Sequence, residues 1–342
     1  MDQRNAIDLP AQTADGPLGS YVSTGSLPPD DRVQALVDQA YLSFQANSEG
    51  ANAESIPALT RMSGDHFGIC VASTSGSIYS VGDADLEFSI QSVSKPFVFA
   101  LVCQAIGPHK VRDLLGVNAT GLPFNSIMAI ELNGDRTVNP LVNAGAIATT
   151  SLVQGDSGAA KWSFILDGLS RFAGRPLELD QEIYESESAT NQRNRGLAWL
   201  LQGYGRLHFD PFETVDLYTR QCALSVTAVD LAVMGATLAN GGVNPRTGIR
   251  VVDAPTCKRV LAVMVTAGLY ESSGDWLFEV GLPGKSGIGG GMVTVSPGKG
   301  GLGTFAPRLD QSGNSVKGQL VASFLSQQLG LDLLLSTPKS PG

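Results

Sequence analysis

The chain has 342 residues, 43% of them hydrophobic, and carries 23 Lys+Arg against 32 Asp+Glu for a formal net charge of −9. That length and apolar content allow one large or two moderate domains around a sizeable core. The acidic balance, with no Lys/Arg run, makes nucleic acid and anionic membrane surfaces poor partners.

Residues 1–27 are small and polar without periodicity and read as a mobile arm; 336–342 read as a tail. The first residues show no charged region leading into an apolar one, and no run approaches the ~20 apolar residues of a membrane span. The expectation is a cytoplasmic protein. Asp30 then reads as a helix cap, with Val33, Leu36, Val37, Ala40, Tyr41 and Phe44 at helical spacing. Phe67 to Ala72 and Ile78 to Val81, joined at Ser75-Gly76, read as a hairpin, and Leu86 to Ile90 as a further extended run. Helical patterns follow at Lys161 to Phe172, Ala189 to Leu201 and Thr227 to Leu238, the last opened by a capping-box pair, Thr227 and Asp230. Asp253 caps a helix reaching toward Gly268. Strand-like sequence returns at Lys285 to Phe305, and Val316 to Leu325 closes the chain with a helix. Strands at both ends and helices between them predict an α+β fold. Its sheet domain is built from 28–115 and 245–335, and a helical domain, 116–244, is inserted between them.

The four cysteines (Cys70, Cys103, Cys222, Cys257) form no C-x-x-C pair and lie in apolar surroundings, which predicts buried reduced thiols. The three histidines (His66, His109, His208) have no metal-site spacing. No metal and no organic cofactor is expected.

The segment Gln91-Ser92-Val93-Ser94-Lys95-Pro96 contains S-x-x-K. Residues three apart share a helix face, so Lys95 can reach the Ser92 hydroxyl. Pro96 fits the first turn of a helix, where N–H groups lack partners anyway. Serine needs a base, and a lysine serves once burial or a second cation lowers its pKa. Ser89 and Ser94 have no lysine three residues on. The second signal is Gly284-Lys285-Ser286-Gly287-Ile288-Gly289-Gly290-Gly291, a Lys-Ser-Gly strand element of the kind that accompanies S-x-x-K in acyl-transfer enzymes. Its backbone can hold an oxyanion, and Lys285 is a second cation able to keep Lys95 neutral. A phosphate loop is excluded by Glu279 where glycine is needed. Gly298, Gly300 and Gly303 match a dinucleotide pattern but lead into Thr304-Phe305-Ala306-Pro307 rather than a helix.

Further blocks stand in order along the chain: Asn139-Pro140-Leu141-Val142-Asn143-Ala144-Gly145, Glu187 with Arg193-Asn194-Arg195, Leu217-Tyr218 before Cys222, Gly268-Leu269-Tyr270, and Gly281-Leu282-Pro283 before Lys285. Together with the two signals above, this series resembles the serine-dependent glutaminases, relatives of the penicillin-recognising, β-lactamase-like serine enzymes. The resemblance implies an antiparallel sheet flanked by helices, and hydrolysis of L-glutamine to L-glutamate and ammonia. It makes Ser92 the nucleophile, Lys95 its base and Tyr270 a proton shuttle. Asn143, Glu187, Asn194 and Tyr218 would hold the amino-acid end of the substrate, with the N–H groups of Ser92 and Ile288 forming an oxyanion hole. It also implies a homo-oligomer, dimer or tetramer. Another S-x-x-K acyl hydrolase, or a weakly active glutamine or glutamate binder, is the alternative. One departure stands out: Ser55 occupies the place before Ile56-Pro57 where the family usually has tyrosine.

Overall fold

The computed structural model describes residues 25–136 and 138–336. Most of the expected arm and tail lie outside the described residues. Helix α1 (Asp30–Phe44) buries Val33, Leu36, Val37, Ala40 and Phe44, the stripe its spacing predicts. Its cap is Pro29, not Asp30; the Asp30 carboxylate instead accepts the Tyr79 hydroxyl at 2.7 Å. After α2 (Pro57–Thr60), strands β1 (Gly68–Ser73) and β2 (Ile78–Gly82) form the predicted hairpin. The expected extended run at 86–90 shortens to β3 (Phe88–Ser89), followed by a 3-10 turn (Gln91–Val93) and α3 (Ser94–Ile106).

Next come α4 (Pro108–Leu115), α5 (Met128–Glu131), α6 (Asn143–Ser151) and α7 (Gly158–Ala173). The predicted helix at 189–201 is two helices flanking Asn191, α8 (Gln181–Thr190) and α9 (Gln192–Gly203), with β4 (Glu178–Leu179) ahead of them. Helix α10 (Pro211–Cys222), strand β5 (Leu224–Val226) and helix α11 (Ala228–Ala239) complete the centre. The capping box of α11 is formed: Asp230 N–H donates to Thr227 Oγ1 at 3.0 Å, and Thr227 N–H to Asp230 Oδ2 at 2.8 Å. Asp253 caps α12 (Ala254–Ala267) as predicted, and α13 (Ser273–Val280) leads to β6 (Gly284–Ser286), β7 (Gly291–Ser296), β8 (Gly300–Phe305) and α14 (Val316–Gln328).

The main sheet is antiparallel, in the order β2-β1-β8-β7-β6, so the first and last long strands of the chain are neighbours, Gly68 opposite Phe305 and Ser73 opposite Gly300. Successive side chains of a strand point to opposite faces. In β1, Cys70 and Ala72 enter the core shared with α11, whereas Ile69 and Val71 enter a second core with α1 and α14. Both sheet faces are therefore dry. A small second sheet, β3-β5-β4, ties the strand before Ser92 to the helical region.

The glycines that mimic a dinucleotide motif have a packing role here. A Cβ on Gly301 would lie 2.3 Å from the Ala232 carbonyl, and one on Gly303 would lie 2.1 Å from the Ala228 carbonyl. Only glycine lets α11, buried along almost its whole length, lie against β8. Helix α11 falls on the helical side of the expected division at 244, yet it packs on β1, β7 and β8, while α6, α7, α9 and α10 pack on one another.

Candidate active site

Ser92 sits in the 3-10 turn that joins β3 to α3. The residue before it, Gln91, has φ +48°, and the chain then passes into α3 with Pro96 in its first turn. The α-helix proper thus begins at Ser94. Ser92 lines a cavity of about 230 Å³ together with Asn143, Glu187, Asn194, Tyr218 and Ile288. That is below the range of roughly 300–1,000 Å³ that holds drug-sized ligands, and it suits a small metabolite. Lys95 and Tyr270 are fully buried beside these residues.

Lys95 Nζ donates to Asn143 Oδ1 at 2.7 Å and to the Leu141 carbonyl at 3.3 Å. Burial lowers its pKa to about 8, against the pull of neighbouring groups that include Glu187. The expectation that Lys285 keeps Lys95 neutral needs correction. Burial first, and the nearby Lys95 charge second, hold Lys285 itself well below the ordinary lysine value. Lys285 does not figure among the causes of the Lys95 shift, which burial leads. Its Nζ lies 4.1 Å from the Tyr270 ring centre and donates to the Ser286 carbonyl at 2.5 Å.

Tyr270 opens a 3-10 turn with φ +56°. Its hydroxyl donates to the Ser286 carbonyl at 3.0 Å, which uses its one proton. An interaction with the Ser92 hydroxyl lowers its pKa against the larger upward push of burial, which places Tyr270 beside Ser92. In the folded chain Lys95 bonds Asn143 and Leu141, and Tyr270 stands beside the Ser92 hydroxyl.

Asn143, the first residue of α6, links the remaining groups. Its Nδ2 donates to Asn194 Oδ1 at 3.0 Å, and its Oδ1 accepts the Tyr218 hydroxyl at 3.4 Å as well as Lys95. Glu187 of α8 is 7% exposed; burial pushes its carboxyl up to about 7, while Gln91 Nε2 donates to it at 3.3 Å. Ile288 lies in the loop between β6 and β7. That loop is pressed on the Ser92 turn: a Cβ on Gly287 would lie 3.0 Å from the Ile90 carbonyl and 3.3 Å from Ser92 N. Among the described residues, neither the Ser92 nor the Ile288 N–H has a protein acceptor. Ser55 lines the same cavity and is exposed.

Residues that sequence reasoning did not single out also shape the site. Asn139 is wholly buried; its Oδ1 accepts Leu141 N–H at 3.0 Å and its Nδ2 donates to the Asn118 carbonyl at 2.9 Å, which holds the turn that presents Leu141 O to Lys95. Phe124 packs on Tyr270 with tilted rings, centroids 4.7 Å apart, and its carbonyl accepts Asn143 N–H at 2.8 Å. Asn139 stood inside a quoted motif; Phe124 carried no sequence signal, because its contacts are made across the fold.

The Glutaminase family model matches residues 50–334. The chain is similar to Glutaminase 2 of Yersinia pestis, 61% identical over 331 residues that cover 97% of each chain. It is similar to the Glutaminase of Colwellia psychrerythraea, 49% identical over 87% of this chain and 96% of that one. Among solved structures, the probable glutaminase ybaS aligns with TM-score 0.89 and 44% identity, covering 90% of this chain and 100% of that one. A probable glutaminase from Bacillus subtilis, complexed with 6-diazo-5-oxo-L-norleucine, aligns with TM-score 0.78 and 30% identity over 90% of this chain and 97% of that one. The fold is accordingly the β-lactamase-like α+β fold, and the chain belongs to the glutaminase family.

Proposed function

We propose that the chain hydrolyses L-glutamine to L-glutamate and ammonia through an acyl-enzyme on Ser92. The observation that carries this is the distance-spanning network Lys95–Asn143–Asn194 with Tyr218, closed by Ser92–Tyr270 and Gln91–Glu187, around a single small cavity. The Glu187 carboxylate suits an α-ammonium group, and the Asn194 amide and Tyr218 phenol suit an α-carboxylate. Neutral Lys95 takes the Ser92 proton, with Tyr270 beside the hydroxyl as a proton shuttle, and Oγ bonds to the side-chain carbonyl carbon. The N–H groups of Ser92 and Ile288 receive the oxyanion. The C–N bond then breaks, ammonia leaves with the stored proton, and water attacks the ester by the same relay to release glutamate and restore Ser92. The scheme needs no metal and no organic cofactor.

Ser92→Ala tests it: ammonia release should vanish while circular dichroism and the thermal midpoint stay those of the wild type. Wild-type turnover in that variant would refute the mechanism, and cephalosporin hydrolysis without ammonia release would favour the other S-x-x-K chemistry. We further propose a cytoplasmic homo-oligomer, dimer or tetramer. Trp199 and Phe212, 54% and 62% exposed and in edge contact at 6.2 Å, support an association surface. Light scattering decides the size. No helix of the described residues is long and apolar enough to cross a membrane.

A further inference from the structure

Gln91 directly precedes the proposed nucleophile, and two independent features set it apart. Its backbone is left-handed, φ +48°, a conformation that glycine and asparagine adopt readily and glutamine seldom does. Its side chain is 3% exposed, and Nε2 donates to Ser89 Oγ and, across 96 residues of sequence, to Glu187 Oε2, each at 3.3 Å. A strained backbone persists where its surroundings over-determine it. They do so here from three sides. Ser89 is held in β3 by pairing with Ser225. A Cβ on Gly289 would lie 3.3 Å from Gln91 Cγ, so the loop after β6 closes on the side chain. Helix α8, which carries Glu187, packs on α10 and α2.

We propose that Gln91 is a positioning residue that pins the Glu187 carboxylate to the nucleophile turn, so that one side chain sets the amino-acid-binding end of the cavity relative to the reacting end. This rests on the roles given to Ser92 and Glu187 above. Glu187 must be ionised to pair with an ammonium group. Burial pushes it up to about 7, and the Gln91 amide and the Lys95 charge favour its ionised form. From α10 it faces Tyr218 and Cys222, both held protonated by burial. Helix α2, Pro57 to Thr60, brings no ionisable side chain. Losing the Gln91 amide therefore leaves Lys95 alone to keep Glu187 charged.

The test is calorimetric titration of glutamate into wild type, Gln91→Met and Gln91→Asn from about pH 5 to pH 9. Met fills the space without a donor. Asn retains an amide and tolerates the left-handed backbone, but it is one methylene too short to reach Glu187. Both variants should bind glutamate about tenfold more weakly at pH 7, lose half their binding at a higher pH than wild type, and converge on it near pH 9. Gln91→Asn should melt no lower than wild type, which keeps the comparison open if Gln91→Met folds poorly. In turnover, KM should rise more than kcat falls. Unchanged binding, or a weakening equal at every pH, would show a mere space-filler and overturn the proposal. If wild type releases no ammonia from glutamine, the proposed function fails, while the binding comparison still judges Gln91.

Discussion

At Ser92 a phenol, Tyr270, stands beside the hydroxyl, and the buried amine of Lys95 lies on the first turn of α3. Lys95 accepts a proton only when neutral, and its pKa near 8 puts the neutral form above that pH. Glu187, near 7, must be charged. Both requirements act on the same side, so kcat/KM should climb with pH through about 8 and fall steeply below 7; a profile flat from pH 6 to 9 would contradict these roles. Lys95→Arg keeps the charge and loses the base, and should cost about 10²–10⁴-fold in kcat, measured by steady-state ammonia release. The same groups shape stability. The folded pKa of Glu187 is raised from 4.5, so the native state binds the extra proton between about 4.5 and 7 and this contribution falls as pH rises through that window. For Lys95, lowered from 10.5 to about 8, the unfolded chain binds the extra proton, and stability rises from about pH 8 to 10.5. Glu187→Gln should therefore melt above wild type at pH 8, by roughly 3 kcal/mol at most, with the gap closing toward pH 4.5 in a series of thermal scans.

Among the elements, α11 lies close against β8. A methyl on Gly303 would sit 2.1 Å from the Ala228 carbonyl, and backbone has nowhere to yield between two layers. Gly303→Ala should lower stability by about 1–3 kcal/mol or more, read as a shift in the urea midpoint. The helix itself was legible: Thr227 and Asp230 have the capping-box spacing, and both of its hydrogen bonds form. Asp230 also receives Arg175, Nε at 2.9 Å and Nη2 at 2.7 Å, a partner 55 residues away that no local pattern signals. The break at Asn191 was not legible either, because apolar spacing runs on through Ala198 and Leu201 while the backbone turns between α8 and α9. Strands β4 and β5 are two and three residues long, too short for a period to register.

Across the whole molecule, the sheet separates two cores that do different work. One face carries α11 and, beyond it, the helices that bear Asn143, Glu187, Asn194 and Tyr218; the other carries α1 and α14. Stability should thus be separable from the site. Leu325→Ala, a wholly buried position of the α14 core, should cost about 2–5 kcal/mol in denaturant unfolding, yet leave the KM for glutamine unchanged in protein that remains folded. What the sequence determined by itself was local or ordinal. A proline in a first turn and a lysine three residues after a serine marked Ser92 and Lys95, caps marked helix starts, and the order of the motifs pointed to the family. The tertiary structure alone decided who touches whom. It brought Lys95 to Asn143, Tyr270 to Ser92 and Gln91 to Glu187, and it buried Lys285, which lowers that amine's pKa. Those outcomes depend on burial and on contacts between residues tens to more than a hundred positions apart, and desolvation and side-chain direction exist only once the sheet has brought the two ends of the chain together.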